Sequence, residues 1–117
     1  MSYVDGYVVP VPKANKEAYR ALAQKMTATF KKHGALHVVE AWGDDVPRGK
    51  VTDFYGAVKA TDDEAVVFSW IVWPSKAVRD AANEAMKTDP SMQPSGEEPF
   101  DGKRMIFGGF QTIVDER

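Results

Sequence analysis

The chain has 117 residues, enough for one domain spanning 1–117 and too few for a second. Hydrophobic residues make up 44% and charged residues 27%, the balance of a globular rather than a disordered protein. Fifteen basic against seventeen acidic residues leave a net charge of −2, without the basic excess that a nucleic-acid or anionic-membrane partner needs. Cysteine is absent, which removes disulfides, thiolate metal sites and thiol nucleophiles together. No apolar run approaches the ~20 residues that cross a bilayer. Met1 leads straight into a strand-like segment without a signal-sequence pattern, so the cytoplasm is the default compartment.

Tyr3 to Val11 is rich in Val and Tyr and reads as a first strand, whose far end the prolines at 10 and 12 place at an edge or outside the sheet. A helix follows from about Lys13 or Asn15 to Lys32, with Asn15 as N-cap and Glu17 in the first turn. Its apolar face is Ala18, Leu22, Met26 and Phe30 with Tyr19 and Ala23 beside them, and Gly34 is its C′ residue. Leu36 to Trp42 reads as a second strand. The stretch 52–60 is read as a short helix capped by Thr52 or Asp53, with a strand as the alternative. Val66 to Trp73 is almost wholly β-branched and aromatic, a clear strand. A helix capped by Ser75 covers about Lys76 to Lys87, its apolar face being Val78, Ala81, Ala82, Ala85 and Met86. Residues 90–102 carry three prolines and two glycines and read as a long loop. Arg104 to Val114 is the last strand, with Gly108-Gly109 marking a bulge or a close approach of another group.

The order β-α-β-(short helix)-β-α-β is that of an α+β, ferredoxin-like βαββαβ domain, a four-stranded antiparallel sheet with two main helices on one face. Such a sheet should alternate apolar and polar residues. These strands are apolar on both sides: Val66, Phe68, Trp70 and Val72 oppose Val67, Ile71 and Trp73, and Ile106 and Phe110 oppose Met105 and Phe107. With no spare element to cover the second side, a second copy packed sheet against sheet is the economical solution, a dimeric α/β-barrel.

The segments YVDGYVVPVP, VVEAWGDDVPRGKVTDF, VVFSWIVWPSKAVRDAAN and PFDGKRMIFGGF resemble the YbaA-like family of small, functionally uncharacterised bacterial proteins, over nearly the whole chain. The resemblance implies a ferredoxin-like fold in the dimeric α/β-barrel group. It implies no activity, although that group includes cofactor-free monooxygenases, isomerase-like proteins and ligand-binding regulators.

Glu40 is the most informative position, a carboxylate in mid-strand on the same face as Val38 and Trp42. Desolvation there raises a carboxyl's pKa and suits it to proton transfer if that face lines the barrel interior. The competing role is an ion pair with Arg104 or Lys103, or exposure at an edge. His37 falls on the opposite face by parity. His33 and His37 are separated by Gly34, which breaks the helical spacing a metal pair would need, so no metal and no cofactor is expected. The turn GDDVPRGK gathers Asp44, Asp45, Arg48 and Lys50, a solvated turn or a weak phosphate and magnesium site. Trp42, Trp70, Trp73 and Tyr7 are aromatic enough to wall a small-molecule cavity or to fill an interface. The ligand-binding candidates are therefore Trp42, Trp70, Tyr7, His37, Asp45 and Arg104, with Glu40 as the catalytic candidate. The leading reading is a homodimer that binds a small molecule between sheet and loops. The alternatives are a cofactor-independent enzyme using Glu40, or a purely structural dimer.

Overall fold

The computed structural model describes residues 2–117. Four strands, β1 (Tyr3–Pro12), β2 (His37–Trp42), β3 (Glu64–Trp73) and β4 (Ile106–Gln111), form one sheet in the order β2-β3-β1-β4. All three pairings are antiparallel, the arrangement of a ferredoxin-like βαββαβ domain. Between the strands lie α1 (Lys16–Lys32), the short α2 (Phe54–Ala57) and α3 (Lys76–Met86).

The prolines of β1 stay in the sheet, at an edge of it rather than outside. Pro10 and Pro12 pair with Val66 and Glu64 of the neighbouring β3, while pairing with β4 ends at Val8. A missing N–H is tolerated there because β1 has no partner on its other side. Asn15 does not cap α1 with its side chain. A 3-10 turn, Lys13–Asn15, leads into the helix and the Asn15 amide donates instead to the carbonyl of Pro99 at 3.2 Å. Ser75 caps α3 by accepting from the N–H of Val78, and Gly34 follows α1 at φ +111°, where only glycine is unstrained. The last strand is shorter than its pattern: β1 begins at Tyr3, opposite Gln111, and Ile113 and Val114 lie beyond that pairing and are exposed.

The segment 52–60 is helical at its centre. Asp53 caps α2, its carboxylate accepting from Gly56 and from Gly49, which holds it below the usual carboxylate range. This segment also changes the account of the second sheet face. Val58, Tyr55 and Ala60 pack on Val8 and Val66, and Phe54 meets Phe68 edge-on, so the chain itself covers one end of that face. The remainder stays open, with Phe68 46%, Ile106 45% and Phe110 61% exposed.

Helices α1 and α3 lie on the other face. Val78, Ala82 and Met86 of α3 pack with Ile71 and Trp73, while Tyr19 of α1 joins Val9, Val11, Val67, Phe100 and Met105. Fully burying a side chain such as Ile71 or Val67 contributes roughly 1.5–3 kcal/mol relative to leaving it exposed. Ala18, Ala81 and Ala85, expected on the buried stripes, are exposed instead. Trp73 is fully buried and is part of the core rather than a wall for a ligand.

Candidate functional site

Three strands place a row of polar side chains under α1. Glu40 of β2 is directly opposite Ser69 of β3, and Ser69 is directly opposite Tyr7 of β1, so period-two geometry puts all three on the helix-covered face. From above, the Tyr19 hydroxyl of α1 donates to Glu40 Oε1 at 2.6 Å, a short bond of the kind a charged acceptor makes. Phe107 of β4 extends the row by stacking on Tyr7 at 6.1 Å between ring centres.

These residues border two chambers that share a wall. An inner cleft of about 120 Å³ lies between α1 and the sheet, lined by Tyr7, Met26, Phe30, Ile71, Phe100 and Met105. An outer groove of about 500 Å³ runs between α1 and β2, with Trp42, Lys16, Arg20, Gln24 and Thr27 on its sides. Tyr19, Ala23 and Glu40 belong to both and form the throat between them. Ala23 matters by its size, because a larger side chain would occupy the throat.

The electrostatics follow from this setting. Glu40 is exposed to solvent in the groove, yet the apolar groups on its inner side still raise its carboxyl above the ordinary value near 4.5, and the Tyr19 hydrogen bond pulls the other way. Burial raises Tyr19 too, reinforced by the carboxylate it donates to. Tyr7 is pushed up to about 12, first by burial and then by the Asp5 carboxylate. Both phenols therefore stay protonated donors across the neutral range.

The sequence candidates separate into three groups. Glu40, Trp42 and Tyr7 come together under α1. Trp70 and His37 lie on the opposite, open face. Glu40's face is thus the one that meets the helices, not the one a second sheet would cover. Asp45 is exposed in the turn after β2, and Arg104 is committed elsewhere. The Arg104 guanidinium grips Glu64 with two bonds of 2.8 and 2.7 Å and reaches Asp101 at 2.8 Å, so the ion pair considered for Glu40 is made by Glu64. That grip lowers Glu64 to about 2. His33 is anchored at 3.1 Å to Asp89, whose carboxylate also caps the 3-10 turn Pro90–Met92.

Sequence reasoning passed over Tyr19 as a site residue, treating it only as part of an apolar stripe. A signal was available: a tyrosine facing a core must find a partner for its hydroxyl, and Glu40 was the unpartnered carboxylate on a facing strand. It also passed over Asp5, buried at 5% exposure, although Asp5 carries the same mid-strand signature as Glu40. Asp5 accepts from Trp73 Nε1 at 2.9 Å and from Arg79 Nε and Nη2 at 2.9–3.2 Å. Among the described residues no group of three or more His, Cys, Asp and Glu side chains gathers in a way that could hold a metal ion.

The topology and the cleft under α1 define a small α+β protein of ferredoxin-like fold. Residues 2–102 match the family described as "Protein of unknown function (DUF1428)", and the chain belongs to that family. It is 62% identical over 117 residues to "Uncharacterized protein YbaA" of Escherichia coli K12, across 99% of this chain and 100% of the relative. The YbaA of Shigella flexneri matches equally. Among solved structures, Rv0793 from Mycobacterium tuberculosis aligns over the whole of both chains with a TM-score of 0.54 at 13% identity, a likeness of fold alone. Among the described residues no helix is long and apolar enough to cross a membrane.

Proposed function

We propose that this protein is a cytoplasmic small-molecule-binding homodimer, in which each copy holds its ligand between α1 and the sheet. The observation that carries the reading is the Tyr19–Glu40 hydrogen bond standing between a mainly apolar, aromatic-walled inner cleft and a polar-sided outer groove. Ligand sites are mostly apolar with a few placed polar groups that fix orientation, and this cleft has that composition. Tyr7 and Trp42 supply walls, and Glu40 with Tyr19 supplies the polar anchor. In the same reading the two copies meet through the open sheet faces, where Phe68, Ile106 and Phe110 would leave water, with Trp70 and His37 in or beside the contact.

Two experiments test these statements separately. Titrating 4-ethylphenol into the labelled protein should shift the amide signals of residues 19, 23, 40 and 69, and Ala23→Leu, which fills the throat, should abolish those shifts. Binding that is absent, or unaffected by Ala23→Leu in a folded variant, overturns the cleft reading. Sedimentation should show a dimer that Phe68→Glu combined with Phe110→Glu converts to a folded monomer. A monomeric wild-type protein overturns the dimer.

A second reading, that Glu40 transfers protons in a cofactor-independent enzyme, is favoured by its raised carboxyl. Glu40→Gln should then lose turnover of a bound compound while keeping its affinity. Unchanged behaviour in both respects removes Glu40 from any role.

A further inference from the structure

The chambers do not end at the outer groove. Lys16 and Trp42 also border a third, more polar groove of about 590 Å³ at the end of the sheet, where Lys13, Arg48 and Tyr55 stand. Inner cleft, outer groove and end groove thus adjoin one another along shared residues. Tyr19, Ala23 and Glu40 form the first junction, and Lys16 with Trp42 the second.

The charges along this path are polarised. The first junction holds a carboxylate and the Tyr19 hydroxyl that donates to it, and the Tyr7 side chain lines the cleft just inside. The second holds an ammonium lying 5.4 Å from the centre of the Trp42 ring. Beyond it, Arg48 stacks at 4.1 Å over Tyr55. Lys13, Lys16 and Arg48 make no salt bridge among the described residues, whereas the carboxylates of Glu17 and Glu64 are taken by Arg20 and Arg104. Asp44, Asp62 and Glu64 also border the end groove, three acidic against three basic side chains, so the positive end of the path rests on Lys16 itself rather than on the groove's net charge.

The spacing between the two junctions is set by the backbone. Glu40 and Trp42 are two residues apart on one strand, about 7 Å. Lys16 and Tyr19 are three apart on a helix, a rise of about 4.5 Å. An anion entering this path is repelled by Glu40 and attracted by Lys16, so it must sit outward. A hydroxyl on the same molecule, about 5–7 Å away, then faces the free lone pairs of Glu40.

We propose that the cleft takes a small hydroxylated carboxylic acid, with its apolar ring or branched body in the throat, its hydroxyl donating to Glu40 and its carboxylate seated at Lys16. The proposal rests on the reading of the cleft as a small-molecule site and adds the class of molecule and its orientation.

Calorimetry or amide-shift titration with three probes tests it: 4-hydroxyphenylacetate, its neutral counterpart 2-(4-hydroxyphenyl)ethanol, and phenylacetate, which lacks the hydroxyl. The hydroxylated acid should bind about tenfold or more tightly than either of the others, the scale of one charge-assisted hydrogen bond. Its advantage over the neutral probe should shrink with added salt and vanish in Lys16→Gln, while Lys25→Gln, on the same helix but away from the groove, leaves it intact. If the neutral probe binds in the throat and the acid binds no tighter, or if its advantage survives Lys16→Gln, the proposal is overturned and the cleft reading stands. If none of the three perturbs the throat, both fall.

Discussion

Asp5 and Glu40 are both carboxylates in mid-strand on the helix-facing side of one sheet, and the fold treats them differently. Asp5 is closed off by three donors, Trp73 Nε1 and the Nε and Nη2 of Arg79, and Arg79 in turn lies 5.1 Å from the Tyr3 ring centre. Glu40 has one donor, Tyr19, and opens onto two chambers. A buried carboxylate whose lone pairs are all used can only hold structure. One with lone pairs left over, beside space and aromatic walls, can meet a ligand. The same signature in the sequence thus yields a structural group on β1 and a candidate anchor on β2, with only β3 between them.

Removing the Asp5 carboxylate should have the largest effect. Asp5→Ala takes the acceptor from the buried Trp73 N–H and from the Nε and Nη2 of Arg79, leaving that guanidinium only its bond to Asp80, a loss of about 3 kcal/mol that denaturant unfolding would register. A second attack on the same cluster is Gly109→Ala. A Cβ there would run into the Tyr3 hydroxyl and the Arg79 guanidinium, so roughly 1–3 kcal/mol should be lost. This close approach, not a bulge, is what Gly109 serves, since the β1–β4 register runs unbroken through it, whereas a Cβ on Gly108 would meet only the Phe110 ring at 3.6 Å.

The two glutamates should differ in the sign of their pH dependence. Glu64, held at about 2 by Arg104, stabilises the fold above its ordinary value near 4.5, and that contribution is lost as pH falls from 4.5 towards 2. Glu40 is raised, so the folded state holds its proton more tightly than the unfolded chain does. Its contribution is present below 4.5 and is lost as pH rises through its folded value. Stability measured from pH 2 to 8 in Glu64→Gln and Glu40→Gln, each against wild type, should show these opposite slopes. A shared slope would remove the distinction between a saturated and an open carboxylate.

Tyr19→Phe should have the smallest effect on stability, within about 1 kcal/mol, because the hydroxyl it removes leaves Glu40 able to reach water in the groove. Its consequence belongs in binding, where 4-ethylphenol affinity should change although the unfolding midpoint hardly moves.

Much of this architecture was legible in the chain. Strand parity grouped Glu40 with Trp42 and separated both from His37, and the capping signals at Ser75 and Gly34 marked helix ends that the structure keeps. The site was legible only in halves. Glu40 stood out because a charge in an apolar strand demands a reason. Its partner Tyr19 lies 21 positions away on a helix, and nothing local says which strand residue a helical side chain will meet. For the same reason Arg104 could be matched to Glu40 on paper while the folded chain gives it Glu64, 40 positions away.

The sequence by itself determined the element types, the ferredoxin-like order and which residues share a face, because the periods of two and 3.6 are properties of the backbone. The tertiary structure decided which face the helices cover. Both faces of β1 and β3 are apolar, so local pattern carries no preference, and the choice falls to how the two crossovers pack back onto a twisted sheet. That single choice puts Glu40, Tyr7 and Trp42 into a cleft and leaves Trp70 and His37 on the open side.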